Sequence, residues 1–219
     1  MSLGFIDDIV FGVQGQSDLG NARKLKAILN EAEEWRMHHG VQFEPSKYTL
    51  VHYTRNCKHI RKAATTIGDI TIKPSNEAKY LSVILNQELR FKSHLQYAVK
   101  RGTAAALGLA SIAKNGWRAQ YKYAHQLFSA VIAPQMDYDA VIWHRPKQDG
   151  STASTTQVKK LTTIQRLAMK AITGCYKTTP TAAMEIEVEL HPTWIRLQTK
   201  VLLAIRCMRS LSASHPIQE

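Results

Sequence analysis

The feature that most limits the fold is a change of hydrophobic period near Gln87. Up to Asn86 the apolar residues fall in short runs broken by turn residues. Beyond Gln87 they recur at every third or fourth position. The first pattern belongs to strands with an occasional helix, the second to helices that pack on one another. The expected class is therefore α+β. Residues 1–86 should form an antiparallel sheet with one packed helix, and residues 87–219 an all-helical region.

The first region opens with Gly4-Phe5-Ile6-Asp7-Asp8-Ile9-Val10-Phe11. Two apolar runs flank a pair of carboxylates, which predicts two short strands with Asp7 and Asp8 at the turn between them. Neighbours on a strand point to opposite faces, but a tight turn can present an acidic tip. Ser17 then has the chemistry of an N-cap for a helix running to about His39. Leu19, Ala22, Leu25, Leu29, Ala32 and Trp35 give that helix one apolar face. Gly40 ends it, and His38-His39 suit its C-terminus, where positive charge is favoured. Strands are expected at Tyr48–Tyr53, around Ile67–Ile72 with Gly68-Asp69 near a turn, and at Lys79–Leu85.

In the second region Phe91, Leu95, Ala98, Gly102, Ala105, Leu109 and Ile112 step four, three, four, three along one stripe. Gly102 and Gly108 either weaken this helix by about 1 kcal/mol each or permit close packing. A second helix is expected from about Trp117 to Ala133. Pro134 breaks it or starts another, short helix to Trp143. Lys147–Thr156 is the best loop candidate. Helices follow from Gln157 to Thr173 with Gly174 as the stop, from Pro180, and from Thr193 to about Leu211. Trp194, Leu197, Val201, Ile205 and Met208 share one face of the last. No internal repeat is visible.

Composition fits a folded, basic protein. The chain has 219 residues, 44% of them apolar, and a formal net charge of +12. No apolar run approaches membrane-spanning length, and the N-terminus lacks the pattern of a signal peptide. Cys57, Cys175 and Cys207 are few and widely spaced, which suggests reduced thiols in the nucleus or cytoplasm rather than a disulfide framework. The histidines form no zinc-ligand pattern with them.

Three segments together resemble the reverse transcriptases of non-LTR (LINE-type) retrotransposons, and the likeness covers nearly the whole chain. Phe5-Ile6-Asp7-Asp8 is similar to the family's aromatic-x-Asp-Asp box. Gly40 to Tyr53, with Pro45-Ser46-Lys47 before a strand, resembles the palm segment that follows. Ala78-Lys79-Tyr80-Leu81-Ser82-Val83-Ile84-Leu85-Asn86 resembles the primer-grip strand. The wording is nearest to fungal elements. The resemblance implies a palm-like sheet and a thumb-like helical region that belong to an RNA-directed DNA polymerase, with an RNA template and a DNA primer as partners. It implies that Asp7 and Asp8 hold Mg²⁺ or Mn²⁺, which activates the primer hydroxyl and stabilises the leaving pyrophosphate. It implies that Lys47 acts beside the nucleotide phosphates and that Lys79, Tyr80 and Leu81 support the primer end. Lys47 reads equally well as an exposed lysine at a strand start, and Tyr80 and Leu81 as sheet core.

Only six residues precede Asp7, so the expectation is a C-terminal palm and thumb without fingers or the first catalytic aspartate. Two metals need several carboxylates, so metal would be held weakly here, and polymerase activity from the chain alone is not expected. Ser82 stands where the family has glycine, a cost if the site needs positive φ. Asn86 replaces an aspartate and removes a charge.

The charge is uneven. No acidic residue lies between Glu88 and Asp137, a stretch holding Arg90, Lys92, Lys100, Arg101, Lys114, Arg118 and Lys122. A second acid-free stretch, Gly150–Met184, holds Lys159, Lys160, Arg166, Lys170 and Lys177. Scattered lysines usually serve solubility. Two long acid-free segments instead fit a surface that tracks a phosphate backbone. Trp117, Tyr121 and Tyr123 read as core rather than as base-stacking groups, and the Glu185, Glu187, Glu189 row as a solvated face. Three functions stay open: a polymerase segment, a non-catalytic nucleic-acid binder, and a helical interaction scaffold whose exposed apolar surface awaits a partner; exposed palm core is also a route to self-association.

Overall fold

The computed structural model describes residues 2–54, 62–114, 121–145 and 155–212. Cys57, Trp117, Arg118 and most of the expected loop at 147–156 lie outside them. The chain divides into two compact units, Met1–Phe91 and Lys92–Glu219.

The first unit opens with the hairpin β1 (Ser2–Phe5) and β2 (Asp8–Phe11). Phe5 pairs with Asp8 and Ser2 with Phe11, leaving Ile6-Asp7 as a two-residue turn. Ile6 there has φ +56°, in a position where such turns favour glycine. Helix α1 (Asp18–His39) follows. The Ser17 hydroxyl accepts from the Gly20 N–H at 3.1 Å, and Gly40 closes the helix at φ +65° with its N–H on the Arg36 carbonyl. Of the expected apolar face, Ala22, Leu25 and Leu29 are buried, while Leu19 and Trp35 at its ends are exposed. Trp35 stacks on His39 at 4.6 Å, whose Nδ1 lies 2.9 Å from the Trp35 carbonyl.

The expected single sheet is not formed. Among the described residues there are instead three separate antiparallel hairpins: β1–β2, β3 (Thr65–Ile67) with β4 (Ile70–Ile72), and β5 (Glu77–Tyr80) with β6 (Val83–Asn86). Two physical causes stand out. The segment expected as a strand at 48–53 makes one parallel bridge, Leu50 to Pro74, and Pro74 has no N–H with which to extend a ladder. The strand expected at 79–85 folds back on itself, because Leu81 and Ser82 adopt φ +45° and +66°. Helix α1 lies against β3, with the Thr65 hydroxyl 3.5 Å from the Ala22 carbonyl. Leu25, Leu29, Leu50 and Ile67 form the core, with Phe11, Val13, Tyr48 and Ile72 packed around them. Burying each large aliphatic contributes roughly 1.5–3 kcal/mol.

The second unit is helical. Helix α2 (Lys92–Lys114) packs along α6 (Thr155–Thr173). Leu95, Ala98, Ala106 and Leu109 on the first are buried, as are Leu161, Ile164 and Ala168 on the second. Ile112, expected on the same stripe, is 49% exposed. A Cβ on Gly102 would lie 2.7 Å from Met136 Cγ and 3.4 Å from Ile164 Cδ1, whereas one on Gly108 would meet nothing within 4 Å. Close packing therefore explains the first glycine only.

Helix α3 (Tyr121–Leu127) runs through a π turn (Phe128–Ile132) into α4 (Ala133–Met136). Pro134 cannot donate to the carbonyl one turn back. The widened turn absorbs this, with the Ala133 N–H on the Phe128 carbonyl. Then come α5 (Ala140–Trp143), α7 (Thr181–Glu187) and α8 (Thr193–Arg209). Met169, Met184 and Val188 form a core cluster at the α6–α7 contact. Among the described residues no helix is long and apolar enough to cross a membrane.

Candidate functional site

Asp7 occupies the β1–β2 turn and Asp8 opens β2, so the hairpin presents consecutive, exposed carboxylates at its tip. Phe5 and Ile9 on the strands are 54% and 44% exposed, and Ile6 at the tip is 91% exposed. Among the described residues no three His, Cys, Asp or Glu side chains are grouped closely enough to hold a metal ion. The donor set itself explains the limit. Two adjacent carboxylates can take one side of a hydrated Mg²⁺, whereas a two-metal centre needs ligands on both ions and between them. The residues described do not make such a centre.

Lys47 is the last residue of a short 3₁₀ turn, Pro45–Lys47. The Glu44 carboxylate caps that turn, accepting from the Ser46 hydroxyl at 2.9 Å and the Ser46 N–H at 3.3 Å, and these bonds hold its pKa below the ordinary value. Lys47 itself is exposed. Lys79, Tyr80 and Leu81 run along β5 into the tip of its hairpin, with Lys79 opposite Ile84 and Tyr80 opposite Val83. Tyr80 and Leu81 are half-buried. The primer-grip segment of the resemblance is thus a hairpin tip rather than a straight strand. Asn86 has a definite role: its Oδ1 accepts from the N–H groups of Arg90 at 2.8 Å and Phe91 at 3.1 Å. An amide oxygen serves this purpose as an aspartate would, so the lost charge leaves the chain turn intact.

Lys92, Lys100 and Arg101 lie off the buried stripe of α2 and are exposed, as are Lys122 on α3 and Lys159 and Lys160 on α6. Arg101 lies 5.7 Å from the Tyr97 ring centre and donates to the Tyr97 hydroxyl at 3.3 Å. Arg90 belongs to the first unit and pairs with Glu88 at 2.8 Å. Lys114 ends α2, with its side chain outside the described residues, as is the whole of Arg118. Lys92–Glu219 carries 17 Lys and Arg against 7 Asp and Glu.

One of those acids faces inward, and sequence reasoning missed it. The Asp137 carboxylate is fully buried, accepts from Arg196 Nε at 2.6 Å and Arg196 Nη2 at 3.0 Å, and forms an ion pair with Lys200 Nζ at 3.0 Å. Arg196 also donates to the buried Gln165, whose own amide donates to Glu185 at 3.1 Å and to the His191 carbonyl at 3.0 Å. Burial pushes the Glu185 carboxyl up, against the pull of Gln165 and Arg196. This network ties α6, α7 and α8 to the turn before α5. Its only sequence signal is an aspartate ending a long acid-free stretch.

No known family profile matches the chain, and no solved structure does. Among curated proteins, it is 24% identical over 177 residues to a Drosophila melanogaster protein named "Probable RNA-directed DNA polymerase from transposon X-element", covering 78% of this chain and 18% of that protein. It is 21% identical over 190 residues to the "Retrovirus-related Pol polyprotein from type-1 retrotransposable element R1" of Nasonia vitripennis, covering 84% of this chain and 54% of that protein. Both come from insects, so they lend no support to the nearness to fungal elements. The chain is similar to transposon-encoded polymerase proteins over most of its own length, and it spans only part of each.

Proposed function

We propose that this chain is the palm–thumb segment of a non-LTR retrotransposon reverse transcriptase, and that unit 92–219 grips an RNA–DNA duplex through its phosphates. The observation that carries the reading is the similarity to two transposon polymerase proteins over 78% and 84% of the chain. The exposed lysines of α2, α3 and α6 support it, because they stand on a unit with a large excess of positive charge. In the whole polymerase, Asp7 and Asp8 would supply two of the carboxylates that hold Mg²⁺ or Mn²⁺, and that metal would activate the primer hydroxyl. Lys47 and the Lys79–Leu81 tip would flank nucleotide and primer. With a donor set short of a two-metal centre, the activity expected of this chain is binding.

The test is fluorescence anisotropy with a labelled RNA–DNA duplex across a salt series. If about six cations meet phosphates, affinity should fall roughly a thousandfold from 50 to 200 mM salt. The variant Lys100→Glu/Arg101→Glu/Lys159→Glu/Lys160→Glu should bind weakly and show a shallower salt slope. Asp7→Ala/Asp8→Ala should bind as wild type. Binding indifferent to salt, or unchanged in the quadruple variant, would overturn the duplex reading. Metal-dependent primer extension by the chain, lost in the aspartate variant, would overturn the expectation of binding alone.

A further inference from the structure

The turn that joins α6 to α7 is braced on both sides and still presents a bare ring. Gly174 ends α6 at φ +69°, with its N–H on the Lys170 carbonyl at 2.9 Å. The Cys175 N–H donates to the Thr173 hydroxyl at 3.2 Å, and Cys175 packs against the core of Met169, Met184 and Val188. The Thr179 N–H donates to the Tyr176 carbonyl at 3.1 Å, which closes a turn over 176–179. Arg166 reaches across from α6: its Nη2 donates to the Lys177 carbonyl at 2.8 Å and its Nη1 to the Thr181 hydroxyl at 2.5 Å. Within this frame Tyr176 is nevertheless 85% exposed. Among the described residues from 156 to 185 no other large apolar side chain is exposed. Lys177 beside it is exposed, and no acidic residue lies between Gly150 and Met184.

We propose that Tyr176 stacks on an unpaired base of the nucleic acid held by unit 92–219. This rests on the duplex reading above and extends it to the single strand that adjoins the duplex. Bases inside a duplex already stack on their neighbours, whereas an unpaired base offers a free face to an aromatic ring. The braced backbone fixes where the ring stands, so little freedom is lost when a base settles on it. The acid-free surroundings and Lys177 suit the phosphates on either side of that base. A protein partner fits less well. Aromatic anchors of protein contacts sit in well-packed, desolvated pockets, while Gly174, Lys177 and Thr178 around Tyr176 are all exposed.

Fluorescence anisotropy of the full chain with two probes tests it: a blunt RNA–DNA duplex, and the same duplex carrying a short single-stranded RNA extension. Wild type should bind the extended probe more tightly than the blunt one. Tyr176→Ala should bind the extended probe roughly five- to hundredfold more weakly than wild type, and the blunt probe equally well. Tyr176→Phe and Tyr176→Trp should bind both as wild type, since each keeps a ring. With an abasic extension of the same charge, wild type and Tyr176→Ala should bind alike. A Tyr176→Ala variant that matches wild type on the extended probe would overturn the proposal. So would a phenylalanine variant as weak as alanine, which would assign the contact to the hydroxyl, or an alanine loss that persists on the abasic probe. Salt-dependent binding of the blunt probe without any effect of Tyr176 would leave the duplex reading standing alone. Binding of the extended probe through Tyr176, with none of the blunt one, would sink the duplex reading and keep the stacking. Failure to bind either probe would overturn both.

Discussion

Asp137 and Arg196, 59 residues apart in sequence, meet through two hydrogen bonds, Nε to Oδ2 at 2.6 Å and Nη2 to Oδ1 at 3.0 Å. The aspartate side chain is fully buried and the arginine 15% exposed, so neither charge can be freed without leaving the other in poor surroundings. Asp137→Ala should destabilise unit 92–219 by about 3–5 kcal/mol. Replacing both partners by apolar residues, Asp137→Leu with Arg196→Met, should cost less than the two single changes summed. Urea unfolding of the four proteins checks this. Additive effects would mean that the pair is not energetically coupled.

Gly102 and Gly108 stand on one helix and should respond oppositely to alanine. At Gly108 the new methyl meets open space, so the better helix former should add about 0.5–1 kcal/mol. At Gly102 it would press on Met136, which is fully buried, and the forced repacking should outweigh the helix gain. A net loss of about 1–2 kcal/mol is expected. Thermal unfolding followed at 222 nm gives both signs in one experiment.

These cases show where the sequence could be read. Ser17 and Gly40 bound α1 as expected, because a cap is set by one side chain and the nearest turn of backbone. The α2 stripe placed Lys92, Lys100 and Arg101 off the core for a similar reason, since helical period alone decides it. At Leu81-Ser82 the likeness to a family with glycine at residue 82 raised the question of positive φ, but the reversal of the strand expected at 79–85 was not read, because neither residue is a usual former of turns with positive φ. A single antiparallel sheet was expected, yet pairing at 48–53 ends at Pro74, which is distant in sequence. The Asp137–Arg196 pair depends on tertiary packing and has no local signature. At the acidic tip the placement of Asp7 and Asp8 was legible, while the surroundings of the tip depend on residues brought together from afar.

Acid should weaken the helical unit through two histidines. His94 is 1% and His144 7% exposed, and burial pushes both imidazoles below their ordinary pKa. Asp139 near the first and Asp137 near the second oppose the shift without cancelling it. At these two rings the folded state therefore binds fewer protons than the unfolded one, while burial raises the Asp139 and Glu185 carboxyls and so acts in the opposite sense. The rings' contribution is fully present above about pH 6.5 and is lost as pH falls below it, at up to roughly 1.4 kcal/mol per pH unit for each ring. Denaturant midpoints between pH 7 and pH 5 should fall, and His94→Gln should flatten that slope whatever it does to stability at pH 7. An unchanged slope would remove His94 from the effect.

The tip of the β5–β6 hairpin is strained, and one atom at residue 82 accounts for part of it. Ser82 holds φ +66° and Leu81 φ +45°, the left-handed region in which a Cβ crowds the backbone at a cost of roughly 1–2 kcal/mol per residue. Glycine removes that crowding but gives up about 0.5–1 kcal/mol of unfolded-state entropy. Ser82→Gly should therefore stabilise unit 1–91 by about 0.5–1 kcal/mol. Leu81→Asn/Ser82→Gly should do more, since Asn-Gly suits a turn with two positive φ values. Ser82→Ala is the control: it keeps the Cβ and should gain nothing, which separates backbone strain from loss of the hydroxyl. If alanine stabilised as much as glycine, the hydroxyl and not the backbone would be the burden at this tip.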